Sequence, residues 1–135
     1  MDADLPAKSP VLVVDDDESV RRLLVRELSP HFELIVASGY SEAMSVLRDH
    51  GRTLAAIVTD HDLGSGRSGL EVLEAARMEG LRCVRVVVSG DMDEELETRL
   101  AVTGLADAAF CKPWRLHAVA ALLTALAIHP ATLSA

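Results

Sequence analysis

The sequence has no excess of basic charge: 13 lysines and arginines stand against 21 aspartates and glutamates among 135 residues, a formal net charge of −8. That balance works against binding along a nucleic-acid backbone and in favour of solubility. No stretch approaches the roughly 18 uninterrupted apolar residues of a membrane span. The first ten residues carry Asp2 and Asp4 without an apolar core, so no secretory signal is expected and the expected location is cytoplasmic. Cysteine is scarce as well. Cys83 should open one strand and Cys111 should close the next, which in parallel neighbours separates them by about 17 Å. A disulfide tolerates a Cα separation of about 7 Å at most, so both are expected as buried free thiols. A chain of 135 residues has room for one domain and no second.

Strand-like and helix-like segments alternate five times. Strands are predicted over 11–14, 33–37, 54–59, 83–88 and 107–111, because short apolar runs bounded by polar loops read as buried parallel strands. Helices are predicted over 18–28, 41–49, 70–79, 92–103 and 115–128. In the first, Val20, Leu23, Leu24 and Leu28 share one face and Arg21, Arg22 and Arg26 another. Ser41 is the expected N-cap of the second helix and Gly51 its stop. Right-handed crossovers then give an α/β fold: a flavodoxin-like, doubly wound, five-stranded parallel sheet in the order 2-1-3-4-5 with five helices. The expected division is a flexible leader over 1–9, one domain over 10–128 and a C-terminal tail over 129–135.

The polar residues at the strand ends carry the chemistry. Asp15, Asp16 and Asp17 follow the first apolar run, and Asp60 and Asp62 follow the third. In an open parallel sheet the ligand site lies outside the carboxyl ends of the strands, at the point where the strand order reverses. Asp15, Asp16 and Asp60 are expected to meet there. Taken singly, Asp15 and Asp16 could cap the first helix and Asp60 could be a loop acid. Converging acids repel one another unless a cation sits among them, and an all-oxygen set suits Mg²⁺ or Mn²⁺. Ser89 ends the fourth run and Lys112-Pro113 the fifth. A carboxylate nucleophile, a hard divalent ion, a hydroxyl donor and a lysine are what phosphoryl transfer to an aspartate requires.

These residues stand in four blocks: Val13-Val14-Asp15-Asp16 with Val20-Arg21, Thr59-Asp60 with Gly69-Leu70-Glu71-Val72-Leu73, Val86-Val87-Val88-Ser89-Gly90, and Phe110-Cys111-Lys112-Pro113-Trp114. In that order and spacing the chain resembles the response-regulator receiver domain of two-component signal transduction, over nearly all of residues 10–128. The resemblance is to a single-domain, chemotaxis-regulator-like receiver. It implies that Asp60 is the phospho-acceptor, that Asp16 and Asp60 ligate Mg²⁺ directly, that the backbone carbonyl of Asp62 adds an oxygen and that Asp15 acts largely through water. It further implies that Ser89 and Lys112 bind phosphoryl oxygens, that Lys112-Pro113 is a cis peptide, and that Asp17 starts a helix. The implied partners are a histidine kinase or histidine phosphotransfer protein as donor and an unknown downstream protein target, with neither nucleic acid nor membrane. Such a chain is a signalling switch rather than an enzyme, catalysing only its own aspartyl phosphorylation and dephosphorylation.

Three departures from the family pattern stand out. Where receivers usually carry a Tyr or Phe switch residue there is Ala109, so switching is expected to run through Ser89 and Gly90. The loop after Asp60 lacks the usual proline, is one residue longer, and contains Gly64 and Gly66. Asp62 and Asp91 occupy the two positions by which the family sets phosphoryl lifetime. His61 reads as a solvent-facing neighbour of the acceptor rather than a phosphate carrier, and Trp114 as a packing residue. The basic trio of the first helix is either a solvated face or a docking patch for the donor. One reading from another class uses the same residues: Asp60-His61-Asp62 resembles the Asp-x-Asp of haloacid-dehalogenase-type phosphatases, although Gly64 stands where that motif has Thr or Val and no substrate cap is present. A receiver-shaped module that never binds phosphate is disfavoured by the full set of polar residues.

Overall fold

The computed structural model describes residues 8–112 and 116–127. Residues 1–7 of the expected leader, the whole of the expected tail over 129–135, and Pro113, Trp114 and Arg115 lie outside the described residues, so the expected cis peptide and the packing role of Trp114 do too. Five strands, β1 (Ser9–Val14), β2 (Phe32–Ala37), β3 (Ala56–Asp60), β4 (Val84–Ser89) and β5 (Ala108–Cys111), alternate with five helices. These are α1 (Glu18–Leu28), α2 (Tyr40–His50), α3 (Gly69–Met78), α4 (Glu94–Thr103) and α5 (Leu116–Ala127). All strand pairings are parallel and the order is β2-β1-β3-β4-β5, as the alternation predicts.

The unbroken apolar runs are explained by burial on both faces of the sheet. Val11, Val13, Val58, Val86 and Val88 pack with Leu24 and Leu28 of α1 and Val119 and Leu123 of α5. Leu12, Val14, Ile57 and Val87 meet Ala43 and Leu47 of α2, Leu70, Leu73 and Ala76 of α3, and Leu96 of α4. Neighbouring residues of one strand therefore enter opposite cores, as the two-residue period of a strand requires. Val11, Leu12, Val13 and Val14 are completely buried.

The helix starts show why these segments fold locally. The Asp17 carboxylate accepts from the backbone N–H groups of Ser19 and Val20, which makes it the N-cap of α1 as expected. Ser68 and Glu71 close a capping box on α3. For α2 the expectation needs correction: the helix begins at Tyr40, its N-cap is Gly39, and Ser41 caps nothing. Glu42 reaches back instead, accepting from the Ser38 hydroxyl at 2.6 Å, so the preceding serine is drawn into the helix start. Gly51 does end α2, but in right-handed conformation, and the chain runs on into a short 3-10 turn at Gly51–Thr53. That turn delays β3 to Ala56.

A second correction concerns the cysteines. Both are free and Cys83 is buried, but Cys111 is exposed. It lies on β5, an edge strand whose residues alternate between half-buried and exposed, because Ala108 and Phe110 join one core while Ala109 and Cys111 face solvent. Only Leu96 of α4 is buried, so that helix leaves this side of β5 open.

Candidate functional site

Strand register brings the polar residues to one edge. Val14 lies beside Thr59, Asp60 beside Val88 and Ser89 beside Cys111, so Asp15, Asp60, Ser89 and Lys112 all emerge at the carboxyl ends of adjacent strands. Loop hydrogen bonds fasten the edge: Asp15 N–H donates to the Ala37 carbonyl, His61 N–H to Val88 and Lys112 N–H to Ser89. Arg21 of α1 donates from Nη1 to the Asp15 carbonyl at 2.6 Å, a contact that sequence patterning did not assign.

Oxygens of Asp15, Asp16 and Asp60 lie within 4.8 Å of one another. Asp15 and Asp60 are buried and Asp16 is exposed. Lys112 Nζ sits 2.9 Å from Asp15 Oδ2 and 3.0 Å from Asp60 Oδ2. Burial works to lower the lysine pKa, but the hydrogen bonds and charges of the two carboxylates outweigh it and hold the ammonium above its ordinary range. Asp60 moves the other way for an acid. Burial, then the Asp15 charge, push its pKa up to about 6 against the opposing pull of Lys112. The buried Asp15 Oδ2 has no partner among the described residues but the Lys112 ammonium, 2.9 Å away. Three carboxylates within 4.8 Å of one another, two of them buried and sharing a single ammonium, together with the penalty on ionising Asp60, fit a hard divalent cation.

The remaining expected residues divide. Ser89 is buried, and its hydroxyl donates to the Asp91 carbonyl at 3.0 Å and accepts from Asp91 N–H at 3.1 Å, which joins it to the segment leading into α4. Gly90 and Ala109 are exposed. The Asp62 carboxylate stands outside the three-acid cluster and accepts from Gly64 N–H at 2.9 Å, leaving its carbonyl as the group that could face the site. Its N–H approaches Asp60 Oδ1 at 3.4 Å.

Gly69 carries a requirement that its place in the motif does not reveal. A Cβ there would fall 1.9 Å from the Asp60 carbonyl oxygen and 2.6 Å from Thr59 Oγ1, so α3 can begin against the acceptor strand only with glycine. Gly69→Ala is expected to cost about 3 kcal/mol of stability, since backbone rather than a flexible side chain must give way. Urea unfolding measures it, and a cost below about 1 kcal/mol would show that α3 is free to shift.

No protein-family model matches the chain, and no curated protein matches it. Solved structures do. A response-regulator receiver domain protein from Clostridium thermocellum superposes with a TM-score of 0.78 at 19% identity, over 94% of this chain and 99% of that one. The signal receiver domain of an HD domain-containing protein from Pseudomonas fluorescens Pf-5 gives 0.76 at 23% identity, over 94% and 98%. A chemotaxis protein of Vibrio cholerae gives 0.76 at 21%, over 88% and 98%. The chain has the fold of the response-regulator receiver domain, and similarity at this level of identity speaks for fold rather than chemistry.

Proposed function

We propose that the chain is a phospho-accepting receiver in which a phosphoryl group on Asp60 switches the binding of a downstream protein. The observation that carries this reading is the meeting of Asp15, Asp16 and Asp60 at the sheet's switch point with Lys112 Nζ 3.0 Å from Asp60 Oδ2. Mg²⁺ or Mn²⁺ bound by Asp15, Asp16 and Asp60, with the Asp62 carbonyl, would supply charge neutralisation for phosphoryl oxygens. A carboxylate oxygen of Asp60 forms a bond to phosphorus as the phosphorus–nitrogen bond of a phosphohistidine donor breaks. The electron pair leaves on the imidazole nitrogen, which takes up a proton. Lys112 then pairs with a phosphoryl oxygen in place of the carboxylate oxygen it now holds.

Ser89 supplies the switch. To donate to a phosphoryl oxygen its hydroxyl must leave the Asp91 carbonyl, which frees the turn before α4. No aromatic ring stands at Ala109 to assist, so the signal travels along residues 89–95. The donor in this reading is a histidine kinase or phosphotransfer protein, and the Arg21, Arg22 and Arg26 face of α1 is a candidate docking patch on an acidic protein. Arg22 is paired with Glu18 at 2.9 Å and Arg21 with the Asp15 carbonyl, which ties that face to the site.

Beryllofluoride, standing in for the phosphoryl group, should shift backbone amide resonances over 89–95 and 112–114, and Ser89→Ala should suppress the first set. Shifts confined to residues 60–68 would contradict the serine route. The phosphatase reading is tested by the same protein: a receiver loads stoichiometrically from acetyl phosphate, whereas a phosphatase turns over small phosphomonoesters.

A further inference from the structure

Among the three clustered carboxylates, Asp16 is the one with nothing evident to hold it. Asp15 and Asp60 are buried and each lies within 3.0 Å of Lys112. Asp16 is exposed and makes no hydrogen bond among the described residues, yet its oxygen lies within the 4.8 Å cluster. Its neighbour is Gly64: a Cβ built there would stand 3.3 Å from Asp16 Oδ2, so the loop after Asp60 passes beside this carboxylate with room for no side chain.

Gly64, Ser65 and Gly66 have positive φ in succession, at 76°, 53° and 76°, which the two glycines adopt freely and Ser65, with its Cβ, does not. Ser65 keeps that conformation only where its surroundings impose it. Leu63 anchors one end of the loop in the core and the Asp62 carboxylate holds Gly64 N–H, but the loop also borders a cleft of about 460 Å³ lined by Ser38, Tyr40, Leu63 and Gly64. Arg67 supplies the ties across that side. Its backbone N–H donates to the Gly64 carbonyl at 2.9 Å and its carbonyl accepts from Leu63 N–H at 3.0 Å. Its guanidinium carbon lies 4.3 Å from the ring centroid of Tyr40, the first residue of α2, and Nη1 lies 3.0 Å from Glu71 Oε2 on α3. One side chain thus fastens the loop to two helices, through a cation–π contact and an ion pair.

We propose that Arg67 is a positioning residue for the metal site: stacked on Tyr40 and paired with Glu71, it holds Gly64 against Asp16 and keeps that carboxylate turned toward Asp15 and Asp60. This rests on the receiver reading, because it assigns the cluster to a divalent cation. The longer, glycine-rich loop is then a part of the site rather than a slack connection, and the Tyr40–Arg67 stack makes the start of α2 a contributor to metal affinity.

The test is Mg²⁺ titration calorimetry on the full chain, with amide hydrogen exchange over residues 63–67. Arg67→Ala and Tyr40→Ala should each raise the dissociation constant about five- to tenfold. The double variant should be no weaker than Arg67→Ala alone, since that substitution already breaks the contact with Tyr40. Tyr40→Phe keeps the ring and should bind as wild type does, Arg67→Lys should recover part of the loss, and exchange over 63–67 should quicken in both alanine variants. Wild-type affinity in Arg67→Ala, or lost affinity without faster exchange, overturns the proposal. So does a Tyr40→Phe variant as weak as Tyr40→Ala. If wild-type protein binds no Mg²⁺, the receiver reading fails and takes the positioning role with it, whereas loss of affinity confined to the variants separates the two.

Discussion

Asp16→Ala is expected to reduce Mg²⁺-dependent phosphorylation by a small phosphodonor about a thousandfold, to background, while the fold stays intact. The two halves of that expectation come from one property of the residue. Asp16 is exposed and outside both cores, so its removal should change stability by no more than about 0.5 kcal/mol. It also supplies a third of the carboxylate cluster. With Asp15 and Asp60 both already engaged by a single ammonium, the remaining pair offers a divalent ion too little charge and too few oxygens. Labelling from acetyl phosphate, followed beside a thermal melt, separates the effects. Undiminished labelling would mean that the metal site lies elsewhere.

The second large effect is on stability and follows from the acceptor itself. Asp60 has its pKa raised from 3.8 to about 6 by burial and by Asp15. For an acid raised in this way the native state retains a proton that the unfolded chain has already released, so stability falls as pH rises from about 4 to about 6 and stays lower above that window. Asp60→Asn removes the penalty. In metal-free buffer near pH 7.5 the variant should be more stable than wild type by about 2 kcal/mol, and near pH 3.5 the two should converge. Mg²⁺ should then stabilise the wild type and leave the variant unchanged. Denaturant unfolding across that pH range checks both signs, and a wild type that gains stability above pH 6 would contradict the assignment of a strained carboxylate.

Much of the fold was readable from the chain because its signals are local and repeated. Val11 to Val14 form a short apolar run of the kind a strand covered on both faces needs, and right-handed crossovers make 2-1-3-4-5 the expected order for five such strands, which is the order found. The acids were placed correctly for the same reason: the strand ends carry them to one edge, so Asp15, Asp16 and Asp60 meet as expected. What escaped depended on contacts between segments distant in the fold. Cys111 reads as a buried thiol by its strand, but burial there depends on whether α4 covers the edge, and it does not. Ser41 looks like a cap until Glu42 turns back to Ser38.

The site shows the same division. The Ser68-x-x-Glu71 spacing, on which the expected helix over 70–79 did not draw, closes a capping box that fixes where α3 starts. The need for glycine at position 69 lies in a 1.9 Å approach to the Asp60 carbonyl, which no pattern along the chain encodes. Asp62 was expected to act through its backbone carbonyl, and its carboxylate, accepting from Gly64 N–H, leaves that carbonyl free for the role. Arg67 had no role assigned from the sequence, and its stack on Tyr40 depends on α2 and α3 packing beside one another.

The most direct measurement is to find where the phosphoryl group goes. Protein incubated with acetyl phosphate and Mg²⁺ should carry one acid-stable, base-labile acyl phosphate, located by peptide mass spectrometry on Asp60, and Asp60→Asn should carry none. Stoichiometric label on another residue, such as the adjacent His61, or full labelling of Asp60→Asn, would contradict the account.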